Sequence, residues 1–285
     1  IIIISLTVFC LAFIISCGNK SSNNKVITIN AGPQPKTIDP SLNTALDGCY
    51  YVIHAFEGLT KLDSNNNVVG AVAEGWFISD DGLKYTFHLR TNAKWSDGKP
   101  ITANDFEYSW KRAVNPNVAA EYAYMMEVVK NAKEINAGIV DYNNLGVKAI
   151  DDYTLEVILE NPTAYFLEFI ASTGIFMPVR KDIIETYKDE WTLNPETYIG
   201  NGPYIMSERN IDKNIVMTKS TNYWNADTII ADKITFMFMQ DGAAAIAGIK
   251  EGSLHLAYEP PQQDIPTLTE EGLIQIKPLI ATYYY

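Results

Sequence analysis

Apolar residues change their spacing along this chain, and the changes mark out its elements. Residues 1–16 are almost entirely apolar and give way at Cys17-Gly18 to the polar run Asn19-Lys20-Ser21-Ser22-Asn23-Asn24. A membrane span needs about 20 apolar residues, so a shorter run followed by a polar tether reads as an export signal over residues 1–16 and a tether over 17–25. Val26-Ile27-Thr28-Ile29 alternates and leads into Gly32-Pro33 and Asp39-Pro40, which predicts a short strand followed by an irregular stretch. Tyr51, Ile53, Ala55 and Phe56 place a helix over residues 50–59, ending at Gly58. After a meander, Tyr85, Phe87 and Leu89 alternate with Thr86, His88 and Arg90, the period of a strand with one buried face. Trp95-Ser96-Asp97-Gly98 then supplies a turn.

Thr102-Ala103-Asn104-Asp105 predicts a helix start. Thr102 is expected to accept a free first-turn N–H, with the Asp105 carboxylate near the positive helix end. This helix should reach Val114 and stop at Asn115-Pro116. A second helical segment is expected over residues 121–134, a strand over 154–159 and helical spacing again over 165–171. Beyond Pro178 the pattern gives a helix, a turn at Gly200-Asn201-Gly202-Pro203, and strands over 215–219 and 234–239. An amphipathic helix over 243–250, stopped at Gly252, and a strand over 254–258 follow. Strands and helices in mixed order favour an α/β architecture with more than one sheet. The chain stops at Thr282-Tyr283-Tyr284-Tyr285, a β-prone run with no turn after it, and it begins without Met or a basic n-region. Both ends are therefore expected to be incomplete.

Composition narrows the function. With 47% hydrophobic and 20% charged residues the chain is that of an ordinary globular protein. A net charge of -12, with 22 scattered basic residues, argues against nucleic acid as a partner. His54, His88 and His255 each stand alone without a second ligand at metal spacing, and no His-Glu-x-x-His, Gly-x-Ser-x-Gly or Walker-type loop occurs. Asp80-Asp81 and Asp151-Asp152 fall in turns, where carboxylates bond nearby backbone. No catalytic residue, metal or cofactor is expected. The 17 Tyr and 5 Trp are abundant enough to line a wet cleft, although Trp76, Trp95, Trp110 and Trp224 are expected chiefly to pack between layers.

Ile14-Ile15-Ser16-Cys17 resembles a bacterial lipobox, with Cys17 the lipidated residue. With Cys10 discarded in the signal, Cys49 stands alone and no disulfide is expected.

Several segments are more specific than any of these patterns. Phe56-Glu57-Gly58-Leu59, Ala73-Glu74-Gly75-Trp76 and Ala93-Lys94-Trp95-Ser96-Asp97-Gly98-Lys99-Pro100-Ile101-Thr102-Ala103-Asn104-Asp105-Phe106 are followed in order by Leu145-Gly146-Val147-Lys148-Ala149, Asn201-Gly202-Pro203-Tyr204 and Asn222-Tyr223-Trp224. Together they resemble the family 5 extracellular solute-binding proteins, and most nearly the oligopeptide-binding members of that family. The resemblance implies a periplasmic-binding-protein-like α/β fold (type II, cluster C) with mixed sheets and an inserted extra domain. Lobe I would comprise residues 26–56 and 182–285 and inserted domain II residues 57–181, while an opposing lobe III would follow Tyr285. An extended peptide would add to protein strands between the jaws, with its side chains in hydrated pockets. The residues implied to line the cleft are Thr44, Ala45, Leu46, Tyr122, Glu259, Tyr283, Tyr284 and Tyr285. Thr44 stands where a Glu can occur and Glu259-Pro260 where amides can occur. The acidic residue that would hold the peptide's α-amino group falls beyond Tyr285.

The expected function is that of a substrate-binding lipoprotein of an ABC importer at the outer face of the cytoplasmic membrane or in the periplasm. Its expected partners are an oligopeptide, the permease subunits and, through the lipid anchor, the membrane; the protein is expected to be monomeric. Two alternatives stay open: the same fold carrying a dipeptide, nickel, haem or a sugar, and an envelope hydrolase.

Overall fold

The computed structural model describes residues 24–257 and 260–274, so the signal, Cys17, Tyr258, Glu259 and Tyr283 to Tyr285 lie outside the described residues. Two main sheets organise the rest. The first joins β1 (Val26–Asn30), β8 (Tyr204–Asn210), β9 (Asn214–Lys219), β10 (Lys233–Met237) and β11 (Leu256–Ala257) in the order β11-β1-β10-β9-β8. Within it β1 runs parallel to both β10 and β11, while β9 is antiparallel to its neighbours. The second is antiparallel and joins β4 (Ala73–Ile78), β5 (Lys84–Leu89), β6 (Val147–Asp151) and β7 (Thr154–Ile158) in the order β4-β5-β7-β6. A hairpin of β2 (Thr60–Leu62) and β3 (Val68–Gly70) stands between them in sequence. One continuous hydrophobic core runs through both sheets.

The period-two expectation holds for the second sheet. Tyr85, Phe87 and Leu89 of β5 and Leu155 and Val157 of β7 are buried, and His88 faces outward. Helix α2 (Ala103–Val114) covers β6 and β7 with Phe106, Trp110, Ala113 and Val114, residues spaced to share one face. Trp110 also donates to the Phe176 carbonyl at 2.8 Å. At the start of α2 Thr102 and Asp105 form a capping box, and the Asp105 carboxylate accepts from both the Thr102 N–H (2.8 Å) and the Thr102 hydroxyl (3.1 Å). Burial raises the Asp105 pKa.

Two helix expectations need correction. Helix α1 spans Leu46–Ala55, beginning four residues before residue 50 and ending three before Gly58. It ends where the Gly202 N–H takes the Ala55 carbonyl (2.8 Å). The following Gly58 and Leu59 are drawn into sheet-like bonds with residues 71–73. The segment over 121–134 is also no single helix. A 3-10 helix (Ala123–Val128) and a short α3 (Ala132–Asn136) are separated by Val129, which bridges to Leu159, and by Asn131 at a φ of 66°. The expected strand over 254–258 is described only at Leu256–Ala257. Strands β4, β6 and β8 escaped individual assignment, because bulges interrupt their alternation and β4 and β6 leave Phe77, Ile78 and Ile150 exposed, which breaks the period-two pattern. The remaining helices, α4 (Phe166–Ser172), α5 (Lys181–Tyr187), α6 (Gly242–Glu251) and α7 (Ile265–Glu270), lie around these sheets. Among the described residues no helix is long and apolar enough to cross a membrane.

Three polar joints, two of them centred on buried carboxylates and the third on the buried Arg180, lock these parts together. Asp39, 2% exposed, receives a bidentate pair from Arg112 of α2 (3.1 and 2.7 Å), the Trp191 indole N–H (3.2 Å) and the Ser41 N–H (2.9 Å). At the second joint the Glu57 carboxylate accepts from Tyr223 (2.5 Å), Lys61 (2.9 Å) and Trp224 (2.6 Å). The Glu57 backbone N–H and carbonyl both pair with the side-chain amide of Asn201. Arg90 stacks on Trp224, its guanidinium 3.9 Å from the ring centroid. In the third, Arg180 forks onto Asp182 (2.7 and 2.6 Å) and reaches Asp97 at 2.9 Å, beside the Trp95-Ser96-Asp97-Gly98 turn.

Removing the Glu57 side chain would leave the buried Tyr223 hydroxyl and Trp224 N–H without their acceptor. Glu57→Ala is therefore expected to lower the unfolding free energy by about 3 kcal/mol in urea titration, and a loss below about 1 kcal/mol would contradict the joint. The hydrogen bonds from Arg180 hold the Asp182 carboxyl below its ordinary value of 3.8. A carboxyl depressed on folding adds stability that is present above its unfolded pKa and lost as pH falls toward the folded one. Asp182→Asn should thus lose less stability than the parent protein between about pH 6 and about pH 3, and equal losses would contradict the pairing.

Candidate functional site

The residues leading into α1 come to the surface beside the Asp39 joint, at the exposed Ala45 and Leu46. Asp39 fixes the turn, taking the Ser41 N–H with its carboxylate and the Leu42 and Asn43 N–H groups with its carbonyl (3.0 and 2.8 Å). Ala45 is then extended (φ -119°, ψ 149°) and exposed, and Leu46 opens the helix with 67% of its surface in water. Ala45, at the N-cap, makes no side-chain cap bond, while the Asp47 carboxylate accepts the Gly48 N–H (2.6 Å) and Asn43 donates to the Ala45 carbonyl (2.9 Å); the N–H groups of Ala45 and Leu46 have no acceptor among the described residues. A helix start leaves such donors free as a rule, and an extended approach makes them available to another extended chain.

Tyr122 closes one side of this surface, its hydroxyl donating to the Thr44 carbonyl at 3.1 Å. Between the two segments lies a cavity of about 320 Å³ whose lining includes Thr44, Ala45, Val118 and Ala119 and carries Lys36, Asp47 and Glu121 as its charged members. The structure thus brings together four of the expected residues: Thr44, Ala45, Leu46 and Tyr122. Glu259 and Tyr283 to Tyr285 lie outside the described residues, although β11, which leads toward Glu259, forms one edge of the first sheet next to β1. Sequence reasoning missed Lys36, Asp47 and Glu121. Lys36 and Glu121 sit in irregular, polar stretches with no periodic signal, and the misplaced start of α1 hid Asp47.

The remaining candidates serve packing. The His54 ring nitrogen Nδ1 lies 2.6 Å from the Tyr50 carbonyl, with the rings of Tyr204 and Phe236 close by, and burial lowers its pKa. His255 accepts the Thr28 N–H through Nδ1 at 3.0 Å, which ties β1 to the residue before β11. Asp81 and Asp151 accept backbone N–H groups two residues on, from Leu83 and Tyr153. Trp95 and Trp110 are fully buried, and Trp76 and Trp224 are partly so. Among the described residues no group of three or more His, Cys, Asp or Glu is placed to hold a metal ion.

Three of the segments that carried the resemblance, residues 56–59, 201–204 and 222–224, meet at the Glu57 joint, and none of their residues lines the cavity. Gly200 and Gly202 lie so close to the end of α1 that a Cβ on either would overlap the backbone of residue 55. The Ser96 N–H bonds the Gly200 carbonyl (2.7 Å), and Asn222 donates to the Ser96 carbonyl (2.9 Å). These residues hold the scaffold in register.

Known proteins are similar to this chain in sequence and fold. The family described as bacterial extracellular solute-binding proteins, family 5 (middle), matches residues 67–285. The oligopeptide-binding protein OppA of Bacillus subtilis is 34% identical over 94% of this chain and 50% of its own. The probable deoxycholate-binding periplasmic protein YgiS of Escherichia coli is also 34% identical, over 92% of this chain and 49% of its own. Among solved structures, OppA of Haemophilus influenzae in complex with RPPGFSPFR superposes with a TM-score of 0.84 at 32% identity, covering 88% of this chain and 49% of that one. The murein tripeptide-binding protein MppA of Escherichia coli, also 0.84, agrees at 31% identity. The chain spans about half the length of the relatives it matches. With the family pattern covering most of its residues, the chain belongs to the bacterial extracellular solute-binding proteins of family 5.

Proposed function

We propose that the full-length protein is the capture component of an ABC importer, binding oligopeptides outside the cytoplasm and delivering them to membrane permease subunits without chemical change. The observation that carries this reading is the exposed backbone at the extended Ala45 and the helix-opening Leu46, whose N–H groups lack an acceptor among the described residues, beside a cavity lined by Thr44 and Ala45, with Tyr122 bonded to the Thr44 carbonyl. Such an edge recognises what every peptide has, its main chain, and places few demands on side chains. Similarity to proteins whose names specify oligopeptides and a murein peptide, one of them solved with RPPGFSPFR, supports the same ligand class.

In this reading residues 26–56 and 182–285 form one lobe and residues 57–181 an inserted domain, with the Glu57 joint at their boundary. Glu259 and Tyr283 to Tyr285 would extend the ligand-lining surface begun by Thr44, Ala45, Leu46 and Tyr122. An opposing lobe would complete the enclosure. Cys17 would carry the lipid anchor, which holds the protein as a monomer at the membrane surface near its permease.

A second reading has a specific observation in its favour. A relative named for deoxycholate is as similar as one named for oligopeptides, so overall identity does not separate a peptide from another amphipathic solute. The partly polar cavity lining with both charge signs favours the zwitterionic ligand.

Native mass spectrometry of the full-length soluble domain, purified from its host without refolding, tests the choice. A ladder of co-purified masses fitting short peptides is expected. A single mass fitting a bile acid or another non-peptide solute would overturn the ligand while leaving the family intact.

A further inference from the structure

The 3-10 helix that follows Tyr122 borders a second cleft, which the reading above leaves without a role. This cleft, of about 490 Å³, lies between residues 124–128 and 160–169. Its walls are aromatic and acidic: Tyr124, Tyr165 and Phe169 with Glu127 and Glu160, and no Lys, Arg or His among the lining residues. Tyr124 and Tyr165 are 55% and 60% exposed, so both rings are open to a ligand in the cleft.

The rings connect to the candidate groove. Tyr165 meets Phe169 edge to face at 6.1 Å, while Tyr124 meets Tyr122 in the same way at 5.9 Å, and Tyr122 bonds the Thr44 carbonyl. The Glu160 carboxylate accepts the Asn131 N–H at 3.2 Å, and no hydrogen bond or ion pair to the Glu127 carboxylate occurs among the described residues. Open aromatic faces beside carboxylates attract cations through the ring quadrupole and through charge, and a methylene stem can lie along the rings.

Resting on the peptide-capture reading, we propose that this cleft is an accessory subsite for a Lys or Arg side chain of the bound peptide. The main chain lies at residues 44–46, and the cationic side chain passes Tyr122 to settle between Tyr124 and Tyr165 with Glu127 as its counter-charge. The net charge of -12 on this chain favours the approach of such peptides to this cleft.

Calorimetric titration of the full-length protein can test this with alanine hexapeptides in which one Lys, or its uncharged analogue norleucine, is walked through every position. At one register the Lys peptide should bind about fivefold tighter than the norleucine peptide. Tyr124→Ala and Glu127→Gln should each abolish that advantage and leave the affinity for the all-alanine peptide unchanged. The subsite is overturned if no register favours Lys, if the advantage survives both substitutions, or if they weaken every peptide equally. If no peptide gives heat with the unsubstituted protein, the peptide-capture reading itself falls and the subsite falls with it.

Discussion

A carboxylate withdrawn from water costs several kcal/mol unless other groups replace its hydration, and Glu57, 6% exposed, is such a carboxylate. Its oxygens take a phenol, an indole and an ammonium, and its backbone is clasped by one amide side chain. These partners come from residue 61 and from residues 201, 223 and 224, so the pairing is possible only when the end of α1, the hairpin and the approaches to β8 and β10 occupy one arrangement. A slip of any of them leaves a buried charge or buried donors unpaired. Desolvation also pushes the Tyr223 hydroxyl well above its ordinary pKa, and the Glu57 charge adds to that, so the phenol stays a donor.

The Asp39 joint extends the same logic to the front of α1. Asp39 is held by Arg112 of α2 and by Trp191, and its own backbone forms the turn that delivers residues 44–46 to the surface. A capture edge has to be rigid before the ligand arrives, because a loop that must be ordered by binding subtracts its entropy from the affinity. Buried ion pairs are an expensive way to make a core, but they specify position, and position is what an exposed run of backbone donors requires. Stability of the scaffold and readiness of the edge therefore depend on the same few side chains.

Much of the fold was legible because its signals are local. Tyr85, Phe87 and Leu89 show their strand by alternation, and Asn115-Pro116 shows the end of α2 by backbone chemistry. The failures share a cause. The true end of α1 is set by Gly202, about 150 residues away in the chain, through a hydrogen bond to Ala55 that no window around residue 55 contains. The break within residues 121–134 is set by Leu159 in the same manner. At the candidate site, Thr44, Ala45, Leu46 and Tyr122 were reached through resemblance alone, since an exposed stretch of backbone leaves no pattern in residue types. Nor could spacing show that Glu57, Asn201 and Trp224 meet, and what marked them in the sequence was their place in the family's segments.

The central claim is that ligand is met at the entrance to α1 while the family segments hold the frame. Amide hydrogen exchange of the full-length protein, with and without a bound peptide, addresses it most directly. The account predicts added protection at residues 43–46 and beside Tyr122, with exchange at Glu57, Asn201, Tyr223 and Trp224 slow and unchanged. Protection gained at the Glu57 joint, with residues 43–46 unaffected, would contradict it.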